Sequence, residues 1–400
     1  MGGLITKSDL FQHFEWSHSV QSVILSSFFW GYVVLQIPAG ELARLLGGKP
    51  LILVAIGGNS LISLLIPLGG WILVCVCRVL QGLMQAFIYP CMHHLVGQWI
   101  PLEEKGLLTT IVYAGGQLGI ALQMLLSGFL ATAWGWEAIF YTNGALGLMW
   151  SLAYLIYGSD SPEQSKLISL EEMQYIQTSL GRVGEQKVTP WSKIITSLPF
   201  WAVIVAHCGQ NWGFFTLMTE MPTYMAKNGM LSSLPYLSMY ILSFPMGACT
   251  DIIIRKRWLS VTNTRKLFNS IGLWGPAIAL IGLSYAPRKY AVMMLTISVG
   301  INAGQYLGYM LVHIDLAPNF SASLMGITNF IANIVSIIAP LVCGFIIEDE
   351  PAEWRKVFFV ASGVYFFTNL FFLLFATSER QPWNEPVQQL ESNLEANFGT

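Results

Sequence analysis

Apolar residues run through this chain in blocks of about twenty, and short polar turns cut the blocks apart. A helix rising 1.5 Å per residue needs about that many to cross a hydrocarbon layer of roughly 30 Å. The pattern predicts five spans, at about 19–43, 50–68, 71–100, 107–131 and 136–157, and six more at about 199–225, 230–254, 267–285, 290–316, 323–347 and 354–376. Between the two sets lies the main break, SDSPEQSKLISLEEMQYIQTSLGRVGEQKVTPWSKI, which starts at Ser159 and holds most of the charge between the apolar halves. Ser169 followed by Glu172 is a capping box that predicts a short surface helix there. The organisation expected is an N-terminal helical bundle over 1–158, a cytoplasmic linker over 159–198, a C-terminal six-helix bundle over 199–376 and a polar cytoplasmic tail over 377–400. Within the fourth span, Gly115, Gly116, Gly119 and Gly128 predict close helix packing.

The third span carries the most informative polar pattern. Read as one helix over 71–100, it puts Arg78, Gly82, Gln85, Tyr89 and His93 on a single narrow stripe. Arg78 has apolar sequence on both sides and is the one Lys or Arg placed inside the bilayer. A cation at the centre of a membrane helix costs about 2.5–3.5 kcal/mol on insertion scales, so it is expected to face protein or a water-filled cavity, with an anion as its natural partner. The competing reading is a structural cation bonded to helix-end carbonyls.

Composition places the chain in the membrane. Hydrophobic residues make up 54% and charged residues 10% of 400, against roughly 25% charged in soluble domains, and the mean hydropathy is +0.57. The net charge of -2 offers no basic face for nucleic acid. The six Cys form no CxxC pair and no ligand cluster, so neither disulfides nor a metal is expected. The first sixteen residues lack the apolar core of a cleavable signal. If the loop after the first span is cytoplasmic, thirteen of the 20 Lys and Arg fall on that side and six on the other, with Arg78 between, which fits the positive-inside rule. No phosphate-cradling glycine loop, nucleotide motif or nucleophile elbow is present, which argues against ATP drive and against hydrolase chemistry.

Two loops repeat a signature. Gly40-Glu-Leu-Ala43 with Gly47-Gly48-Lys49 follows the first span, and Gly247-Ala-Cys-Thr-Asp251 with Arg255-Lys256-Arg257 follows the corresponding span of the second half. Together with Arg78-Val-Leu-Gln81-Gly82 they resemble the major facilitator superfamily, whose fold is an all-α two-bundle membrane protein. A nearer resemblance rests on SSFFWGY from Ser26, Gln36-Ile-Pro38-x-Gly40, Tyr89-Pro90 with His93, His313-Ile-Asp315-Leu-Ala-Pro318 and Met325-Gly-Ile-Thr-Asn329. These are similar to the anion–cation symporter family, which includes sodium–phosphate cotransporters, sialin and vesicular glutamate transporters; the resemblance covers about 14 to 386. It numbers the eleven predicted spans as family helices 2–12. Two bundles of 3+3 repeats require twelve, so the expectation is a truncated or misassigned start. The resemblance also predicts an excised outer-loop segment between Met225 and Met230.

The resemblance implies secondary active transport, with cation-coupled symport of inorganic phosphate or a related small anion by alternating access, Na+ or H+ as coupling ion and no cofactor. Where the vesicular branch carries charged or titratable residues, this chain has Leu25, Gln85 and Gln210, which favours the phosphate-like branch. The alternatives are a proton-coupled vesicular or lysosomal organic-anion carrier and a truncated, non-transporting product. The plasma membrane is the expected location. The residues expected to bind substrate or couple ions are Arg78, Gln85, His207, Gln210, Asn211 and Asn302. Those expected to gate or to hold the motifs are Gly40, Gln81, Gly82, His93, Asp251, His313 and Asp315. His207 reads equally as a proton handler or as an uncharged helix-bonding imidazole, and the amides read also as interhelical glue. Asn329 and Asn333, four residues apart, share a face. An acyltransferase reading rests on His313 and Asp315 alone.

Overall fold

The structure is a computed structural model and describes residues 18–180, 188–224, 229–285, 287, 290–346 and 354–384. The expected join at 225–230 falls largely outside them. Every regular element among the described residues is helical, with no strand. Helices α1 (His18–Leu46), α2 (Gly48–Leu65), α3 (Trp71–Gln85), α4 (Ile88–Trp99), α5 (Lys105–Trp134) and α6 (Glu137–Tyr157) make up the N-terminal set. Two short helices, α7 (Leu170–Leu180) and α8 (Trp191–Ile195), follow. The C-terminal set is α9 (Leu198–Tyr224), α10 (Gly229–Arg255), α11 (Val261–Tyr285), α12 (Ala291–Ile301), α13 (Tyr309–Leu316), α14 (Ser321–Ile346) and α15 (Trp354–Phe375).

Eight helices among the described residues are long and apolar enough to cross a membrane. They coincide with eight of the eleven expected spans. The other three expected spans coincide with α1, with α9 and with the α12–α13 pair, which fall outside that measure.

Two local features depart from the expectation. The helix predicted over 71–100 breaks after Gln85, because Pro90 has no N–H to give the Ala86 carbonyl. The chain tightens there, Phe87 N donating to Met84 O at 3.4 Å, before α4 begins. The four glycines expected to pack are not a packing face: a Cβ on Gly115, Gly116, Gly119 or Gly128 would meet nothing within 4 Å among the described residues. The close helix approach lies elsewhere, at the α1–α3 crossing, where a Cβ on Gly82 would overlap the Phe28 carbonyl oxygen and one on Gly31 the Val79 carbonyl oxygen.

The described parts of the segment between the sets, 158–180 and 188–197, close over one end of the molecule, called the linker end. Asp160 Oδ1 accepts from Lys49 N at 2.6 Å at the start of α2, and Trp99 Nε1 donates to Asp160 O at 3.1 Å. The predicted cap forms, Glu172 N donating to Ser169 Oγ at 3.1 Å. Thr189 Oγ1 donates to Glu41 Oε1 at 2.8 Å, and Ile194 is fully buried. At this same end the two helix sets touch: α1 lies along α14 and α5 along α10.

Candidate functional site

Between the two sets is a cavity of about 330 Å³. From the N-terminal helices it is lined by Phe28, Phe29, Tyr32, Gln85, Tyr89 and Gln117; from the C-terminal helices by His207, Gln210, Asn211, Phe214, Gln305, Tyr306, Tyr309, Met310, Met325, Asn329 and Asn333. None of these is Asp, Glu, Lys or Arg. The walls are aromatic rings and neutral hydrogen-bonding groups.

A broken helix supplies part of one wall. Between α12 and α13 the chain runs as a tighter helix over Asn302–Leu307. Gly304 lies against the α11 backbone, where a Cβ would come within 2.5 Å of Phe268 O. Asn269 Oδ1 accepts from Tyr309 N at 3.1 Å, satisfying a donor at the start of α13. The break turns Gln305, Tyr306 and Tyr309 onto the cavity, the setting in which irregular backbone at membrane depth is tolerated.

Four of the six residues expected to bind substrate or couple ions line the cavity: Gln85, His207, Gln210 and Asn211. Asn302 stands behind Gln210, and their amides are reciprocal: Gln210 Nε2 donates to Asn302 Oδ1 at 2.6 Å and Asn302 Nδ2 to Gln210 Oε1 at 2.7 Å. Asn302 Nδ2 also reaches Gly272 O at 2.8 Å, and Tyr309 Oη donates to Gln305 Oε1 at 2.9 Å. These amides are therefore occupied with one another. Gln85 Nε2 donates to Asn59 Oδ1 at 3.2 Å. The Asn211 side chain, which lines the cavity, makes no hydrogen bond to another side chain among the described residues.

Arg78 is not among the lining residues. Its Nε donates to the Ile24 carbonyl at 2.7 Å, and its guanidinium carbon lies 5.9 Å from the centre of the Phe28 ring. Phe28 itself lines the cavity, so Arg78 stands one side chain away from it. Gln81 Nε2 donates to Ser63 Oγ at 2.9 Å and ties α3 to α2. The side chain of Leu25 lies outside the described residues.

Of the residues expected to gate or to hold the motifs, Gly40, Asp251 and Asp315 lie at the linker end with His93 and His313 deeper in, whereas Gln81 and Gly82 lie apart from them, Gln81 bonded to α2 and Gly82 at the α1–α3 crossing. Asp251, at the end of α10, accepts from Gly106 N at 2.7 Å and Leu107 N at 2.8 Å, capping α5 from the opposite helix set. On the other side, Glu41 of α1 accepts from Ser323 Oγ of α14 at 2.6 Å, while Gly40 fits against Ala322 and Ser323. Asp315 pairs with Lys105 at 2.7 Å and Arg265 at 2.9 Å, one cation from each set. Deeper in, His93 Nε2 pairs with Met310 O at 3.3 Å and Nδ1 with Tyr113 Oη at 2.6 Å. Thr328 Oγ1 pairs with His313 Nε2 at 2.8 Å and His207 Nδ1 at 3.2 Å. His207 thus joins the cavity wall to the sealed end.

The sequence profile of the Major Facilitator Superfamily matches residues 2–340. The chain belongs to that superfamily. A putative inorganic phosphate cotransporter of Drosophila melanogaster is 41% identical over 93% of this chain and 75% of its own length. Human sialin is 37% identical over 92% and 78%, and vesicular glutamate transporter 1 of Xenopus tropicalis is 34% identical over 94% and 68%. These relatives place the chain in the anion–cation symporter branch. The solved proton:xylose symporter XylE, bound to 6-bromo-6-deoxy-D-glucose, shares the fold with a TM-score of 0.67 at 14% identity, covering 95% of this chain and 91% of that one. Members of the superfamily are transporters and not enzymes, and Asp315 has a place as the anion of a buried ion triad.

Sequence reasoning missed Tyr32, Gln117, Tyr306 and Tyr309 as cavity residues. The signal for the last two was present: Gly300, Gly304 and Gly308 at a four-residue repeat mark a helix that approaches its neighbours too closely to stay regular.

Proposed function

We propose that this chain is a secondary active transporter that moves inorganic phosphate or a related small anion together with a cation, by alternating access. The observation that carries this reading is a neutral hydrogen-bonding cavity between two helix sets, with Asp251 and Glu41 joining the sets at one end. The 41% identity to a protein named as a putative inorganic phosphate cotransporter supports phosphate as the first substrate to test. In this reading Asn211, the tyrosine hydroxyls and His207 contact the anion. Arg78 supplies positive field from behind Phe28, and the coupling ion is Na+ or H+. The linker end and the C-terminal tail face the cytoplasm, as the lysine and arginine count predicts, and the plasma membrane is the location. The helices on either side of 159–198 act as two bundles rocking about the cavity.

The test is uptake of labelled phosphate, against glutamate, into proteoliposomes with and without sodium. Wild type is expected to take up phosphate, with Arg78→Ala reduced at least tenfold and Arg78→Lys partly active. Unchanged uptake in both variants removes Arg78 from the mechanism.

A second reading, proton-coupled transport of an organic anion, is supported by the aromatic walls: Phe28, Phe29, Tyr32, Tyr89, Phe214, Tyr306 and Tyr309 all face the cavity. Its volume of about 330 Å³ falls at the lower end of the range for organic ligands. Inhibition of phosphate uptake by an aromatic carboxylate such as benzoate, and not by acetate, separates the two.

A further inference from the structure

A second cavity, of about 430 Å³, lies away from the transport site on the outer face of α11 and α15. Its floor is Ala277 and Ser362, both nearly inaccessible, and the Ser362 hydroxyl is already used on Ala277 O at 3.0 Å and Phe358 O at 2.7 Å. Ile278, 71% exposed, and Phe359 form its sides. Gly363 leaves it open, since a Cβ there would meet nothing within 4 Å. Both helices are long and apolar enough to cross the membrane, so the groove opens onto lipid.

The groove runs from Trp274 to Ile281 on α11, about two helical turns or roughly 10 Å. The inner end is Trp274 stacked on Phe366, ring centres 5.5 Å apart, with Trp274 Nε1 donating to Phe366 O at 3.2 Å. Both residues sit near the middle of their helices. Tyr285, at the end of α11, lies one turn beyond Ile281, so the groove and its outer end together span about 16 Å, or roughly half of a ~30 Å hydrocarbon core. At that outer end the character changes. Arg355 is exposed, donates from Nε to Ser284 O at 3.2 Å and lies 5.1 Å over the Tyr285 ring, with Lys356 beside it in sequence. A cation and a tyrosine at headgroup depth, one turn above an apolar slot, match a lipid with a phosphate on top and an acyl chain below.

We propose that the α11–α15 groove is a binding site for a membrane glycerophospholipid, with one acyl chain lying over Gly363 and the phosphate against Arg355. The site is separate from the transport cavity and does not depend on which substrate is carried.

The experiment is native mass spectrometry of the full chain in detergent, with palmitoyl-oleoyl phosphatidylcholine or the matching diacylglycerol added. Wild type is expected to keep one phosphatidylcholine through collisional activation. Gly363→Trp, which fills the slot, is expected to lower that occupancy at least tenfold. Arg355→Ala is expected to weaken phosphatidylcholine about tenfold and to leave diacylglycerol retention unchanged. Thermal unfolding checks that each variant is folded; should Gly363→Trp fail that check, Ile278→Trp takes its place. Equal phosphatidylcholine retention in wild type and the slot-filled variant overturns the site. So does a dimer mass that disappears with the slot filled, which makes the occupant a second copy of the chain. Equal loss of both lipids in Arg355→Ala overturns the phosphate contact.

Discussion

Asp315 answers two cations at once, and its removal is the most decisive single change at the residue scale. The side chains of Lys105, Arg265 and Asp315 are 4%, 3% and 7% exposed. Losing one member of a buried ion group leaves uncompensated charge, at a cost of about 3–5 kcal/mol, whereas exchanging a whole group for apolar residues is often neutral. Asp315→Asn is therefore expected to lower the thermal unfolding temperature in detergent markedly, and the triple variant Lys105→Met, Arg265→Met, Asp315→Leu to recover most of it. A wild-type unfolding temperature for Asp315→Asn would remove the triad from the account. This arrangement was out of reach of sequence reasoning. Lys105 and Arg265 read as loop cations, and their partner lies 210 and 50 residues away. What was legible were polar residues inside apolar runs, and Gln85, His207, Gln210 and Asn211 reach the cavity for that reason. The tyrosines were illegible because a ring with one hydroxyl suits the interface, the core and a cavity wall equally.

At the scale of elements, apolar blocks fixed where helices form but not how they meet. Period and length place a helix; contact between helices depends on which side chains are small on the facing surfaces, and one sequence presents several candidates. Gly115, Gly116, Gly119 and Gly128 were one such candidate and face open space among the described residues, whereas Gly31 and Gly82 sit at a true crossing. Gly82→Leu is expected to force α1 and α3 apart, because the obstruction is the Phe28 backbone and cannot rotate away. Little folded, monodisperse protein should be recovered. Gly115→Leu, a change of the same size in open space, should purify like wild type. Comparable yields of the two variants on size exclusion would mean that the α1–α3 crossing adjusts freely. The break between α3 and α4 follows the same logic in reverse. A proline in the run was visible, yet whether it kinks or ends a helix depends on the partners of the carbonyls it frees.

For the whole molecule, a transporter that alternates access must release the contacts that join its helix sets at the linker end. Alongside apolar packing of Val96, Ile100 and Ala322 across the sets, those contacts include polar ones: Glu41 with Ser323, Asp251 with two N–H groups of α5, and Lys105 with Asp315. Polar contacts suit this task, because water can replace each hydrogen bond when the end opens, so the net difference between closed and open is small. Thr189 joins the same carboxylate as Ser323, so this part of the linker lies within the closure and is more than a tether. The double variant Glu41→Gln, Asp251→Asn weakens both sides of the closure without removing packing volume. It is expected to shift the population toward the state open at the linker end. Hydrogen exchange reads this directly: amides at the start of α5 (105–110) and α14 (321–326) should exchange several-fold faster than in wild type, while those around the α1–α3 crossing stay protected. Exchange rising everywhere would signal lost stability, and exchange rising nowhere would show that these contacts do not hold the two sets together.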